Sequence, residues 1–483
     1  MLSLTLSDLT QLVNIRAVLS ANDTHNQFAN LGIHQLLIAD GAVEKIVETV
    51  KQQLRRVGIS ADHGTAVFMV ADDKAITWQG RNLKDFIFAQ LKASFQATQV
   101  ILKDEHAVLH ADEKSLDDGA AACVGAQCIV SVGGGTITDI SKIAAMRNEV
   151  PIHIVVQTAA SVDGYTDNFS VVLQNGVKRT LLTRWPDAVL TDCTVLAEAP
   201  HELNASGLGE LLSMYVAPGD WYLASKCGMD HSFTPVLTDL LGICGAGVEQ
   251  WSEGVGKRDV EGTRRLAEGL AMRGIVTGVG GTSASLSGME HLISHMLDIY
   301  SAEKGEATGL HGSQVGVGSV IAAASWEVFC ERMAQGAPDI SKMFADDLTW
   351  EPRVKAAFAS LDPSGKLGSE CWSHYRKKLT AWRNNRHKVE ALFNDWSTSK
   401  AARDKLVLNS QSLSDCLRRG NAPAHFSNLA PIVPADRIFW AVANCQFMRE
   451  RFTVADLFTF AGWWDDTTVR EVLLRADRAC GMI

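Results

Sequence analysis

The chain has 483 residues, 46% of them hydrophobic, and a mean hydropathy of +0.02, which is enough material for two domains with separate cores. It contains no apolar run of membrane-spanning length, and a formal net charge of -10 with a pI near 5.8 excludes a general nucleic-acid binder, which needs basic faces. The ten cysteines are scattered without a Cys-x-x-Cys pair, and several, such as Cys128 and Cys244, lie in apolar segments; this reads as reduced, buried thiols. The N-terminus lacks a basic start followed by an apolar core, so the expected compartment is the cytoplasm.

Residues 1–34 read as a helical extension, with apolar periodicity from Leu4 to Leu19. From residue 35 to 200, short Val/Ile-rich strands alternate with helical patterns such as Val43 to Arg56. That alternation predicts an α/β domain, a Rossmann-like parallel sheet flanked by helices. Thr65 to Asp72 is a strand that ends in an acid, where Asp72 or its neighbour Asp73 is placed to hydrogen-bond ribose hydroxyls; a solvated turn is the other reading. Cys128 to Lys142 reads as strand, tight turn and helix around Gly133, Gly134 and Gly135. The bare backbone N–H groups there, continuing through Thr136 and Ile137, suit a phosphate, although the pattern is not Gly-x-Gly-x-x-Gly and a plain turn would use the same glycines.

A third strand, Ile152 to Val156, runs into Gln157–Tyr165, where small hydroxyl residues followed by Asp163 suit hydrogen bonds to a cofactor and to a polyol hydroxyl. After Pro200 the strand signals stop. Long periodic segments, Glu210 to Lys226 and Val317 to Met333, predict an all-helical domain over residues 201–483, with the cofactor in the cleft between the two domains. Within the charged, Trp-containing stretch 334–430, the basic run His374 to Lys378 reads as a solvated helix face, the alternative being a phosphate or partner surface.

The strongest chemical signal lies in the helical half. Glu290-His291-Leu292-Ile293-Ser294-His295 places two histidines one turn apart, His311 follows, and Glu210 is a remote acid. Together they form a ligand set for one divalent metal with a spare proton carrier. A helical His pair alone, in a chain with 14 histidines, would more often be surface or satisfied core residues. The phosphate cradle upstream favours the metalloenzyme reading.

Read together, Gly133-Gly134-Gly135-x-x-x-Asp139-x-x-Lys142, Thr158-x-x-Ser161-x-Asp163-Gly164-Tyr165, Gly207-Leu208-Gly209-Glu210, Glu290-His291-x-x-Ser294-His295 and His311-Gly312 resemble sn-glycerol-1-phosphate dehydrogenase. The likeness is to its bacterial arabinose-operon-type branch, within the superfamily of iron-containing alcohol dehydrogenases, glycerol dehydrogenase and 3-dehydroquinate synthase. It holds from about residue 35 to 320, and Arg449 to Leu457 resembles a late helical motif of that branch.

The resemblance implies that Gly133, Gly134, Gly135 and Asp139 surround the pyrophosphate and nicotinamide of NAD(P), and that Thr158 and Ser161 contact it. Asp163 meets substrate hydroxyls, Glu210, His291 and His311 hold the metal, and His295 faces the substrate as the catalytic proton carrier. Zinc is the expected metal, with iron and nickel also suited to two His and a carboxylate. The implied reaction is reduction of dihydroxyacetone phosphate to sn-glycerol 1-phosphate by a cytoplasmic homodimer. Dehydrogenation of another polyol or cyclitol, a 3-dehydroquinate-synthase-like cyclase or lyase, and a non-catalytic descendant are the alternatives.

Three departures bear on that expectation. The glycerol-phosphate members usually carry Asp at the Glu210 position. Ser213 and Met214 stand where a lysine is expected, removing a point charge near a phosphorylated substrate. Asp167 replaces a small hydroxyl residue on the cofactor side, adding a negative charge beside pyrophosphate. Lys178 and Arg179 are the nearest motif-linked cations, and Arg179 is assigned to the substrate phosphate.

Overall fold

The structure is a computed structural model that describes residues 4–9, 11–103, 109–174, 177–344 and 349–483. Ten strands appear among them. Six form the main sheet: β1 (Gln35–Ala39), β2 (Ala66–Asp72), β5 (Gln96–Leu102), β6 (Cys128–Gly133), β7 (Ile152–Gln157) and β10 (Ala188–Asp192). The short strands β3 (Thr77–Trp78) and β4 (Arg81–Asn82) pair with each other, as do β8 (Phe169–Gln174) and β9 (Val177–Leu182).

The main sheet runs β1-β10-β7-β6-β2-β5 and every pairing in it is parallel. Its central strands β6, β7 and β10 are buried along their whole length, as a parallel sheet covered on both faces requires, and that is why they read as unbroken Val/Ile runs. The chain leaves β2 towards β5 on one side and returns to β6 on the other, so the carboxyl ends of β2 and β6 mark the topological switch point where open α/β sheets bind ligands. Register places Ala71 opposite Val132, so Asp72 and Gly133 end neighbouring strands.

Eight helices matter below: α1 (Gly135–Arg147), α2 (His201–Leu212), α3 (Ala217–Lys226), α4 (Val260–Gly280), α5 (Met289–Lys304), α6 (His311–Gln335), α7 (Lys366–Asn384) and α8 (Val454–Phe460). Beyond β10 the described residues form no strand. The α/β sheet followed by a mostly helical part is the architecture the sequence predicts. One compact unit comprises Met1–Gly207 and Asp239–Gly281, the other Leu208–Thr238 and Thr282–Ile483. Residues 239–281, with α4, thus belong to the sheet-bearing unit.

Three local readings change. The predicted continuous segment Glu210 to Lys226 is broken by a 3-10 turn at Ser213–Tyr215, after which Pro218 sits in the first turn of α3, where its missing N–H costs nothing. The N-terminal periodicity yields two helices, Leu6–Leu9 and Leu12–Asn22. The basic run on α7 is only partly a solvated face: Lys377 pairs with Glu450 at 2.7 Å near the surface, but Lys378 is fully buried and donates to Asp456 at 2.8 Å and to the Gln446 carbonyl at 2.7 Å.

Candidate functional site

In the sheet-bearing unit, β6 ends at Gly133, Gly134 is extended (φ -81°, ψ -169°), and α1 begins at Gly135 with no side chain capping it. Side-chain room differs sharply along the triplet. A Cβ on Gly133 would lie 2.8 Å from Ile137, and one on Gly135 3.0 Å from Val162, whereas one on Gly134 would meet only the Tyr165 hydroxyl at 3.9 Å. The open face at Gly134, at the start of a helix, fits a pyrophosphate. Thr158 is tied to this turn, its N–H donating to the Gly133 carbonyl at 3.3 Å, and Ser161 Oγ lies 3.3 Å from the Tyr165 hydroxyl.

The acids around this turn are not bare charges. Lys142 on α1 is fully buried and donates to Asp167 at 2.6 Å, to the Gly164 carbonyl at 2.6 Å and to the Phe169 carbonyl at 2.8 Å. The negative charge expected of Asp167 beside pyrophosphate is therefore offset by an ion pair, and Lys142 fixes the loop after β7. Asp163 is held by Arg273 of α4, and Asp72 by Lys84, whose ammonium also meets the Asp72 and Lys74 carbonyls at 2.8 and 2.6 Å. Asp73 is exposed. Loss of solvent and the nearby Asp167 push the half-buried Asp139 carboxyl up to about 8, against the pull of Lys142. Thr136 is half-buried and Ile137 buried. Arg179 lies exposed on β9 opposite Val172, while the Lys178 side chain lies outside the described residues.

The metal-type residues all lie in the other unit. Glu210 on α2, His291 on α5 and His311 at the start of α6 each offer a ligand atom, and these atoms lie within 4.8 Å of one another. Helix contact makes this possible: a Cβ on Gly209 would fall 2.2 Å from the Gly312 carbonyl oxygen, so α2 and α6 meet backbone to backbone. One Glu210 carboxylate then spans both rings, with Oε1 3.3 Å from His291 Nε2 and Oε2 3.7 Å from His311 Nε2. Glu210 thus reaches both histidines.

The outer nitrogens are held as well. His291 Nδ1 lies 2.8 Å from Glu290 Oε1, and His311 Nδ1 lies 3.1 Å from Ser294 Oγ, which is itself 2.8 Å from the Gln314 side-chain amide. Partners on Nδ1 leave Nε2 of each ring as the ligating nitrogen, an arrangement typical of metal-binding histidines. Burial disfavours the His291 cation, but Glu210 and Glu290 outweigh it and raise the ring to about 9, so the two carboxylates favour positive charge at this point. The fit to a divalent cation is good. His295 completes the group, stacked on His311 with centroids 5.5 Å apart and planes at 26°.

Arg273, Lys142 as an anchor, Glu290 and Asp220 were not assigned roles by sequence reasoning. Glu290 had a signal, adjacency to His291; Arg273 and Asp220 are linked to the site only through space.

A model of the iron-containing alcohol dehydrogenase family matches residues 52–200. The chain is 32% identical over 253 residues to the glycerol-1-phosphate dehydrogenase [NAD(P)+] of Pyrococcus furiosus, covering 51% of this chain and 70% of that enzyme. It is 29% identical over 348 residues to the enzyme of that name from Geobacillus stearothermophilus, covering 69% and 79%. Among solved structures, glycerol dehydrogenase from Schizosaccharomyces pombe shares the fold, with a TM-score of 0.58 at 14% identity over 94% of this chain and 92% of that one. With its parallel sheet, Gly-rich turn and Glu/His/His cluster, the chain belongs to the iron-containing alcohol dehydrogenase superfamily of oxidoreductases.

Proposed function

We propose that this protein is a metal-dependent NAD(P)H oxidoreductase that reduces a small hydroxyketone, with dihydroxyacetone phosphate, giving sn-glycerol 1-phosphate, as the first substrate. The observation that carries the reading is the convergence of Glu210, His291 and His311 donor atoms within 4.8 Å, beside His295. The relatives named above supply the substrate class. A divalent ion on these three residues, zinc in the first instance, supplies Lewis-acid polarisation of the substrate carbonyl.

The chain's own residues do the rest. Gly134 and the start of α1 receive the cofactor pyrophosphate, with Gly133, Gly135, Thr158, Ser161 and Asp139 around it. Asp163, aimed by Arg273, accepts from a substrate hydroxyl. His295 gives the proton to the oxygen that becomes the alcohol.

A second reading, an unphosphorylated polyol or cyclitol ketone, is favoured by one observation. Ser213 is fully buried with Oγ donating to the Leu286 carbonyl at 3.1 Å, and Met214 is buried too, so neither supplies a phosphate cation. The test is a substrate panel: purified protein loaded with zinc, iron or nickel, NADH or NADPH, and phosphorylated and plain ketones, followed by nicotinamide absorbance. Turnover of dihydroxyacetone phosphate above dihydroxyacetone supports the first reading. Good turnover of a plain ketone with none of the phosphate ester sinks it in favour of the second.

A further inference from the structure

The turn that carries His291 is built in an unusual way. Helix α5 starts at Met289 after Gly288, with no side chain of its N-cap residue satisfying the first-turn N–H groups. Two buried acids do so instead: Glu290 Oε1 accepts from Gly288 N at 2.7 Å, and Asp220 Oδ2 of α3 accepts from Met289 N at 2.9 Å. They crowd one glycine, since a Cβ on Gly288 would be 2.6 Å from Asp220 Oδ2 and 2.9 Å from Glu290 Oε2. Glu290 is 0% and Asp220 1% exposed.

A serine or asparagine cap would satisfy the same N–H groups without burying a carboxyl group. What the acids add is direction. Glu290 Oε1 also takes His291 Nδ1 at 2.8 Å, which fixes the ring plane and turns Nε2 towards Glu210. Asp220 Oδ1 accepts from Val454 N, the first residue of α8, at 3.0 Å, so one carboxylate joins the starts of α5 and α8. Three residues earlier, Arg451 donates to the Ser287 carbonyl at 2.5 Å and to Ser283 Oγ at 3.2 Å, holding the loop that enters α5.

The geometry points to a role for the late Arg449–Leu457 motif. We propose that Asp220, Glu290 and Arg451 are positioning residues for His291, and that the Arg451–Val454 segment thereby sets the metal affinity of the Glu210/His291/His311 cluster. The inference rests on the metal-site reading given above, and it places part of the metal centre's design in a segment 160 residues away in sequence from the ligand it serves.

The test uses the full chain, stripped of metal and titrated with zinc against a chromophoric chelator. Cobalt d–d absorption reports ligand geometry, and far-UV circular dichroism of the metal-free protein reports folding. Glu290→Gln, Asp220→Asn and Arg451→Met are each expected to lower zinc affinity about 10- to 100-fold and to shift the cobalt bands, with the metal-free fold unchanged and Glu290→Asp recovering part of the loss. Should Asp220→Asn fail to fold, Glu290→Gln and Arg451→Met decide. Unchanged affinity and cobalt bands in those folded variants, beside stoichiometric binding by the unaltered chain and loss in His291→Ala, overturn this proposal alone. Failure of the unaltered chain to bind metal overturns the metal-site reading and this proposal with it.

Discussion

Arg273 Nε donates to Asp163 Oδ2 at 3.1 Å, and Nη2 lies 3.0 Å from the same oxygen, with the guanidinium side chain 1% exposed and the aspartate 22%. Gly274 lets α4 come this close, since a Cβ there would lie 2.4 Å from the Asp163 carbonyl oxygen. Removing one partner of a nearly buried pair leaves a desolvated charge, so Arg273→Met should cost about 3 kcal/mol of stability, and Asp163→Asn in the same background should recover part of it. Urea unfolding of the two single variants and the double variant measures the coupling. Strict additivity would remove Arg273 from any role in aiming Asp163.

At the metal cluster, His311→Ala deletes one of three donors while leaving the Gly209–Gly312 helix contact intact. The expected outcome is substoichiometric metal by elemental analysis and loss of the melting-temperature gain that metal gives the unaltered protein, because a ligand bound only by the native state stabilises it by mass action. Stoichiometric metal in this variant would mean that the ligand set is another one.

The glycine triplet separates packing from binding. Gly133→Val drives a side chain into Ile137, 2.8 Å from the first added carbon, and should destabilise the fold; Gly134→Val meets only the Tyr165 hydroxyl at 3.9 Å and should melt near normally. Its isopropyl group occupies the face proposed for pyrophosphate, so nicotinamide fluorescence titration should show binding abolished. Unaltered affinity would place the cradle elsewhere.

The contrast between these residues shows what a sequence reveals. The buried strands were legible because a parallel sheet covered on both faces demands uninterrupted Val/Ile runs, and Gly133 to Gly135 punctuate the one that ends at the switch point. The histidines were legible because one helical turn sets the His291–His295 spacing. Arg273 with Asp163, Lys142 with Asp167 and Asp220 with Val454 were not, since each joins elements that no local period connects, from 25 to 234 positions apart. The 3-10 break at Ser213–Tyr215 was masked by apolar spacing that continues across it, although Pro218 announced a new helix start.

Asp139 gives a pH dependence with a definite sign. Burial, then Asp167, raise its carboxyl to about 8, so it is neutral below that pH and anionic above it. On the pyrophosphate placement proposed above, the new anion repels the cofactor by at least about 1 kcal/mol at close range even in water, roughly fivefold in affinity. NAD(P)H affinity should therefore fall as pH rises from 7 to 9, and Asp139→Asn should flatten the profile. A flat profile in the unaltered protein would separate Asp139 from the cofactor phosphates.

The phosphate of the proposed substrate needs a cation. Ser213 and Met214 are buried and uncharged, Lys142 is committed to Asp167, and Arg273 to Asp163. Arg179, exposed on β9, is the motif-linked guanidinium proposed for the phosphate. A charge-assisted contact of this kind contributes about 1.5 to 3 kcal/mol, on the order of tenfold to a hundredfold in affinity. Arg179→Ala should raise KM for dihydroxyacetone phosphate by that factor, leave kinetics on dihydroxyacetone unchanged, and weaken competitive inhibition by inorganic phosphate in parallel. The KM of the unaltered protein should itself be high, since Ser213 and Met214 supply no cation where a lysine is expected. Tight turnover of dihydroxyacetone phosphate that is indifferent to Arg179 would show that other residues hold the phosphate, while equal loss on both ketones would make Arg179 a fold residue with no part in substrate choice.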